Sequence, residues 1–340
     1  MKWKIAIIGF GNVGQGTLEI LNNKKDIFHS RYNFDFDVVA IAGHSKGSVL
    51  NNDGINIEET LNLVRKMGTI IEHKDHVDFD SIEIIRNSDA NIVVECTPTD
   101  IKTGEPGISH IRTALKLNKH VVTTNKGPIA LYFDELMQLA KNNNVELKFE
   151  GTVLSGTPAI NFAINGLAGC NITEIEGILN GTTNFILTKM EQGMKYIEAL
   201  QEAQRLGYAE ADPRADVEGW DAAVKAVILA KVIMGLDISI DDVKTTGITN
   251  ISEDDIQDAM KKNGHIKLIA SVKGPEAIIA PRYISNSHPF ANIMYDTNAI
   301  TFHTDHLGSV TIMGPGAGAI GTGQAVIRDI LSIINETRKR

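Results

Sequence analysis

Lys4-Ile5-Ala6-Ile7-Ile8-Gly9-Phe10-Gly11-Asn12-Val13-Gly14 carries a short apolar run straight into the pattern G-x-G-x-x-G and then into residues of helical spacing. Each glycine has a physical reason there. Gly9 allows a tight turn, Gly11 lets the backbone approach a pyrophosphate, and Gly14 lets a helix pack closely on a strand. The helix N-terminus adds N–H groups and the positive end of its dipole. The glycines alone are a weak signal; a strand before them, a helix after them and a βαβ continuation predict a dinucleotide-binding turn, in which Phe10, Asn12 and Val13 lie.

Working outward, short apolar runs at Lys4–Gly9, Asp37–Ala42, Asn91–Cys96, His120–Thr124 and Val145–Glu150 read as buried strands. Helical spacing falls near Gly14–Asn22, Ser109–Leu117 and Leu131–Lys141. That alternation predicts a parallel sheet covered by helices on both faces. Between Gly43 and Asp80 the pattern loosens into loop-like clusters and one helix, Ile57–Met67, as an insertion after the second strand would. From about residue 151 the texture becomes α+β. Ile172–Leu179 reads as a strand, Thr182–Gln192, Lys195–Leu206 and Val217–Met234 as helices, and Ile266–Val272, Ala277–Ile284 and Ile300–Thr304 as antiparallel strands. Ser309–Met313, a glycine turn and the helix Thr322–Glu336 then lead back towards the first domain. The expected fold is α/β: a Rossmann-type dinucleotide-binding domain over 1–133 and 306–340, and an α+β catalytic and dimerisation domain over 134–305.

Bulk properties agree with two domains. The chain has 340 residues, 43% hydrophobic and 22% charged, which is ordinary globular usage. Its 33 Lys+Arg against 42 Asp+Glu leave a net charge of −9, which argues against broad binding to nucleic acid or an anionic membrane. There is no apolar run of membrane-spanning length and no signal-peptide pattern, so a cytoplasmic setting is expected. Cys96 and Cys170 form no metal or redox motif and read as small buried hydrophobes. The pairs His73/His76 and His303/His306 lack a metal-binding frame and read as surface residues; no catalytic metal is expected.

The end of the second strand bears on the choice of dinucleotide. An NAD site usually has an acidic residue there to bond the ribose 2′-OH. Asp37 stands at the opposite end of that strand, and Gly43-His44-Ser45-Lys46 follows it. Ser45 and Lys46 suit a 2′-phosphate, so NADP is expected, with NAD open and a solvated loop lysine as the plain alternative for Lys46.

Gly207 to Lys225 is the most unusual segment, with five carboxylates (Glu210, Asp212, Asp216, Glu218, Asp221) within twelve positions. Asp216 suits the N-cap of a helix starting at Val217, and Glu218 and Asp221 suit its first turns. Helix-end chemistry is enough for Asp212 and Glu218. Asp221 and Lys225 are different: they share one face at i,i+4 on a helix otherwise almost wholly apolar, and such a helix is buried. A buried ion pair is expensive and marks a candidate functional site. A lysine between a carboxylate, which raises its pKa, and burial, which lowers it, can give a proton to an oxygen that gains charge as hydride arrives. Nearby carboxylates suit a cationic amino group on the substrate.

The segments Gly9–Gly14, Glu95-Cys96-Thr97-Pro98-Thr99, Val122-Thr123-Thr124-Asn125-Lys126-Gly127-Pro128, Glu150-Gly151-Thr152-Val153, Leu179 to Ile186, Gly207–Lys225 and Gly314-Pro315-Gly316-Ala317-Gly318 together resemble the homoserine dehydrogenase family in order along the whole chain. The resemblance implies NAD(P)-dependent interconversion of L-homoserine and L-aspartate 4-semialdehyde, on the route to threonine and methionine. It implies Lys225 as proton donor and Lys126 as a second polar group at the reacting end. It also implies Glu210 and Asp221, with Asp216 and Thr182, as substrate contacts. Thr97 and Lys126 border the nicotinamide side, and Gly207, Gly316 and Gly318 close over it. Glu150, Val153, Ser155 and Thr157 match a sodium site of the family, where a structural turn is the alternative; Gly151 and Leu154-Ser155 depart from the usual residues. A homodimer through the α+β half is implied, and the chain's end at Arg340 suggests an enzyme without a regulatory domain. Two other readings compete. One is a semialdehyde-using dehydrogenase with a cysteine nucleophile, for which neither cysteine is well placed. The other is a catalytically inactive dinucleotide sensor, for which no effector module is visible.

Overall fold

A computed structural model of the chain describes residues 2–339, which fall into two compact units, one of residues 2–152 with 318–339 and one of Val153–Ala317. In the first unit the order is β1 (Lys2–Ile8), α1 (Asn12–Asn23), α2 (Lys25–Tyr32), β2 (Asp35–Gly43), β3 (Gly47–Leu50), α3 (Ile57–Met67), β4 (His76–Val77) and α4 (Ser81–Asn87). It continues with β5 (Ile92–Glu95), α5 (Gly107–Lys116), β6 (His120–Thr123), α6 (Lys126–Asn142) and β7 (Leu147–Lys148). The sheet order is β4-β3-β2-β1-β5-β6-β7. β2, β1, β5, β6 and β7 run parallel, while β3 and β4 are antiparallel additions at one edge. β1 leads to β2 on one side while β5 lies on the other, so the chain reverses direction across the sheet at the carboxyl end of β1, where open α/β sheets bind ligands.

The second unit holds α7 (Ala159–Asn161), β8 (Ile172–Ile178), α8 (Gly181–Glu191), α9 (Tyr196–Arg205), α10 (Arg214–Val217), α11 (Trp220–Met234) and β9 (Val243–Thr245). α12 (Glu253–Lys261), β10 (Gly264–Lys273), β11 (Glu276–Ser285), β12 (Thr297–Thr304) and β13 (Gly308–Pro315) complete it. Its sheet order is β13-β12-β8-β10-β11-β9, antiparallel apart from the β11–β9 pair. α8 and α11 lie against β10, and the segment with Phe290, Ala291 and Ile293 forms a core with Ile178, Ile269, Ile284 and Ala299.

The last helix, α13 (Ala319–Lys339), belongs to the first unit. Its Val326, Ile327, Ile330 and Ile333 share a core with Ile5, Ile7, Leu18 and Leu21. Small residues let α13 and α1 meet backbone to backbone: a Cβ on Gly16 would stand 2.5 Å from the Ala319 carbonyl oxygen.

Several expectations need correction. The unit boundaries lie at 152 and 317 rather than 133 and 306, because β7 pairs with β6 in the first sheet and β13 pairs with β12 in the second. The expected strand Val145–Glu150 shrinks to Leu147–Lys148, followed by a 3₁₀ turn at Glu150–Thr152. The loop-like residues after β2 form the hairpin strand β3. The expected helix Val217–Met234 is broken: the Val217 carbonyl accepts from Ile248 N at 2.8 Å instead of continuing the helix, and Gly219 turns left-handed at φ 92°. Asp216 therefore lies inside α10, and the residue capping α11 is Gly219. His73 is buried, and both cysteines are half-buried rather than enclosed.

Candidate active site

In the first unit, the turn after β1 has the predicted shape. Gly9 has φ 98°, and a Cβ there would lie 2.5 Å from the Cys96 carbonyl carbon; one on Gly14 would lie 2.2 Å from the Gly9 oxygen. Around Gly11 a Cβ would meet nothing within 4 Å, which leaves the α1 N-terminus open to a phosphate group. These features fit a dinucleotide. β2 ends at Gly43, and the turn through His44, Ser45 and Lys46 carries no carboxylate; the Lys46 ammonium donates to the Gly68 carbonyl at 3.1 Å.

At the ends of β5 and β6 a buried acid that sequence reasoning did not single out organises the expected nicotinamide-side residues. Glu95 is fully buried and accepts the Thr97 N–H at 3.0 Å, the Thr97 hydroxyl, and the Thr123 hydroxyl at 2.8 Å. Asn125 caps α6 through the Gly127 N–H and donates to the Pro98 carbonyl at 3.2 Å, so the loops bearing Thr97 and Lys126 are tied together. Burial first, and then the Glu95 charge, push the Cys96 thiol up and keep it protonated. Such a thiol is a poor nucleophile.

In the second unit, β8 runs into α8 through Leu179 and Asn180, and α11 starts after Gly219. These two junctions assemble a polar cluster in an apolar surrounding. Lys225, 8% exposed, donates to Asp221 Oδ2 at 2.7 Å and to the Leu179 carbonyl at 2.7 Å. The Asn180 amide donates to Asp221 Oδ2 at 2.9 Å and to Asp216 Oδ1 at 2.6 Å. Thr182, in the first turn of α8, donates to the Tyr208 carbonyl at 2.8 Å, which fastens the loop after Gly207 to that helix. Glu210 is exposed on this loop, its carbonyl held by Gln204 at 3.0 Å. Asp212 pairs with Arg214, which holds its carboxyl down at about 2, and stays at the surface. The structure thus joins Lys225 to Asp221 directly and Asp216 to Asp221 through Asn180, whose part depends on contacts 36 and 41 residues away.

Gly316 closes the second unit, where a Cβ would fall 1.7 Å from Asn298 Oδ1, and Gly318 opens the final segment of the first at φ 113°. Glu150 lies in the first unit, buried with Asp329; Val153, Ser155 and Thr157 lie buried in the second, with Ser155 at φ 53°. Among the described residues Glu174, Glu176 and His303 bring donor atoms within 4.8 Å of one another, but Arg282 and Lys273 already pair with the two carboxylates, at 2.6 and 2.8 Å.

A chain that carries both a glycine-turn Rossmann unit and an α+β unit with a buried lysine–carboxylate pair fits a nicotinamide-dinucleotide-dependent oxidoreductase. Residues 158–331 match the homoserine dehydrogenase family and residues 9–150 match the homoserine dehydrogenase NAD-binding domain. The chain belongs to the homoserine dehydrogenase family, oxidoreductases that act on a CH–OH group. It is 42% identical to an NAD(+)-dependent homoserine dehydrogenase of Pseudomonas canavaninivorans, over 100% of this chain and 98% of that one. It is also 42% identical to a homoserine dehydrogenase of Methanocaldococcus jannaschii, over 98% and 99% of the two chains. A hyperthermophilic archaeal homoserine dehydrogenase in complex with NADPH superposes with a TM-score of 0.86 at 33% identity, covering 99% of this chain and 98% of that one.

Proposed function

We propose that Lys225 is the proton donor to the aldehyde oxygen when L-aspartate 4-semialdehyde is reduced to L-homoserine, and takes that proton back in the reverse direction. The observation that carries this is the state of its ammonium. Of three N–H donors, one goes to Asp221 and one to the Leu179 carbonyl, leaving a single donor for an incoming oxygen. The bound dinucleotide supplies or accepts the hydride. Lys225 balances the charge that the hydride brings to the oxygen, and Asp221 keeps the amine in place while its proton is replaced from solvent. Asp221 and Glu210, with Asp216 and Thr182, form the substrate contacts, the carboxylates facing the cationic amino group; Lys126 is the second polar group of the reaction.

Lys225→Ala tests the assignment. Homoserine oxidation should fall by ~10²–10⁴-fold with dinucleotide affinity retained, since general acid catalysis contributes on that order; a variant keeping about a tenth of the parent rate would remove Lys225 from the role.

NADP is our proposed preferred dinucleotide. The absence of a carboxylate beside Ser45 and Lys46 at the β2 terminus supports it, and kcat/KM with NAD exceeding that with NADP would reverse it. A sodium ion bound by Glu150, Val153, Ser155 and Thr157 is proposed from the resemblance of this segment to the family, and the left-handed backbone of Ser155 at φ 53° suits a turn that presents backbone oxygens. An unchanged melting temperature when choline replaces sodium would remove the ion. A homodimer through the second sheet is supported by Ile278 and Met313 on its strands, 36% and 67% exposed, and a monomer in sedimentation would refute it. A cytoplasmic setting belongs to the same reading, with the two unpaired cysteines in its favour.

A further inference from the structure

The ammonium of Lys225 is set by Asp221, so whatever sets Asp221 governs the geometry of proton transfer. Asn180 does so from a constrained position. It is 4% exposed, and its Oδ1 accepts the Thr183 N–H at 2.8 Å and the Thr183 hydroxyl at 3.0 Å as the N-cap of α8. With the oxygen committed to the cap, the amide nitrogen has to face the other way. It meets Asp216 Oδ1 at 2.6 Å and Asp221 Oδ2 at 2.9 Å, the same oxygen that accepts from Lys225. Leu179, one residue earlier, gives its carbonyl to the Lys225 ammonium. Two consecutive residues thus hold both halves of the ion pair, the carbonyl of one on the cation and the amide of the next on the anion.

Few side chains meet these demands together. Ser and Asp cap a helix as well as Asn does, and Thr nearly so. None of them offers two N–H donors beside the capping oxygen, and the two carboxylates facing this point repel each other unless something donates to both.

We propose that Asn180 is a positioning residue of the reaction: its amide links Asp216 to Asp221 and so keeps the Lys225 ammonium in one orientation through turnover. This rests on the reading of Lys225 as proton donor. Its claim is separate, because it concerns a side chain whose visible duty is to cap a helix.

Asn180→Ser and Asn180→Asp separate the two duties, since both retain a capping oxygen. Asn180→Ser should melt within a few degrees of the parent and bind dinucleotide equally. Its kcat for homoserine oxidation should fall at least about tenfold, and by more than KM rises, because small displacements of a reacting group cost up to ~10² in rate. Asn180→Asp adds a negative charge beside Asp216, Asp221 and Lys225, which favours their protonated forms. The acidic limb of its pH–kcat profile should move up by about one pH unit, because the added charge stands within hydrogen-bond distance of the carboxylate that holds Lys225; Asn180→Ser adds no charge and should leave that limb in place. An Asn180→Ser enzyme with kcat within about twofold of the parent overturns the proposal. So does an unmoved limb in Asn180→Asp, which decides the matter if the serine variant does not fold. Lys225→Ala in the same assay identifies which claim has failed: an active Lys225→Ala removes the reading beneath, whereas an inactive one beside a parent-like Asn180→Ser refutes the Asn180 role alone.

Discussion

Asp329 offers the sharpest test of the physical reasoning, because its cost to the fold depends on pH with a definite sign. It lies on α13, 1% exposed, and its Oδ2 accepts the Glu150 N–H at 2.8 Å. Burial, and after it the Glu150 charge, push its carboxyl from the ordinary 3.8 up to about 7. The folded chain therefore keeps a proton at Asp329 that the unfolded chain releases near 3.8. This proton stabilises the fold at low pH, and the stabilisation is lost as pH rises towards about 7. The rise of about three units corresponds to about 4 kcal/mol at 1.36 kcal/mol per unit. Asp329→Asn keeps an oxygen for the Glu150 N–H and cannot ionise. Its advantage over the parent should be greatest near pH 8 and shrink by about 1.4 kcal/mol for each pH unit below about 7. Between pH 8 and pH 5 that amounts to about 3 kcal/mol, or roughly 5–10 °C in melting temperature for a unit of this size. Scanning calorimetry of both proteins across that range, in sodium-free buffer, reads the difference directly. An advantage that stays constant with pH would refute the buried, proton-holding Asp329.

Two further outcomes follow from the first unit. Gly9→Ala should weaken dinucleotide binding at least about tenfold and lower the melting temperature, since φ 98° and a Cβ 2.5 Å from the Cys96 carbonyl carbon leave the new methyl no place; a variant with parent-like affinity by calorimetry would show that the turn relaxes freely. Activity should survive iodoacetamide at neutral pH, because burial and Glu95 keep the Cys96 thiol protonated; inactivation that dinucleotide protects against would bring a cysteine back into the chemistry.

What the sequence made legible and what it hid divide along a physical line. The turn at Gly9–Gly14 could be read because its glycines answer local demands of φ and close approach. Lys225 and Asp221 could be read because one helical turn separates them on an otherwise apolar helix. α2 escaped because it is polar nearly all round, with Phe28 its one buried residue, and β3 escaped because four residues pairing across a tight hairpin leave too short a pattern. Gly219 looks like a tolerable interruption of a helix; what stops the helix is Ile248 taking the Val217 carbonyl. Asn180, Glu95 and Asp329 stood in plain view, but their parts depend on partners dozens to well over a hundred residues away or on burial by distant elements, and no local pattern encodes either.

The break at Gly219 is also what completes the site. Had the helix run unbroken from Val217, Asp216 would have capped it, with its oxygens spent on the backbone N–H groups of the first turn. Because α10 ends and α11 restarts, Asp216 is released to accept from Asn180, and Asp221 enters the first turn of α11, where a negative charge is favoured. Lys225 follows one turn later and is itself only 8% exposed. A buried lysine in such a place is costly unless every proton it carries has an acceptor. Two have acceptors within the protein, and the unmet demand of the third is what a substrate oxygen satisfies. The same backbone break thus frees the carboxylate that steadies the pair and starts the helix that carries both of its members.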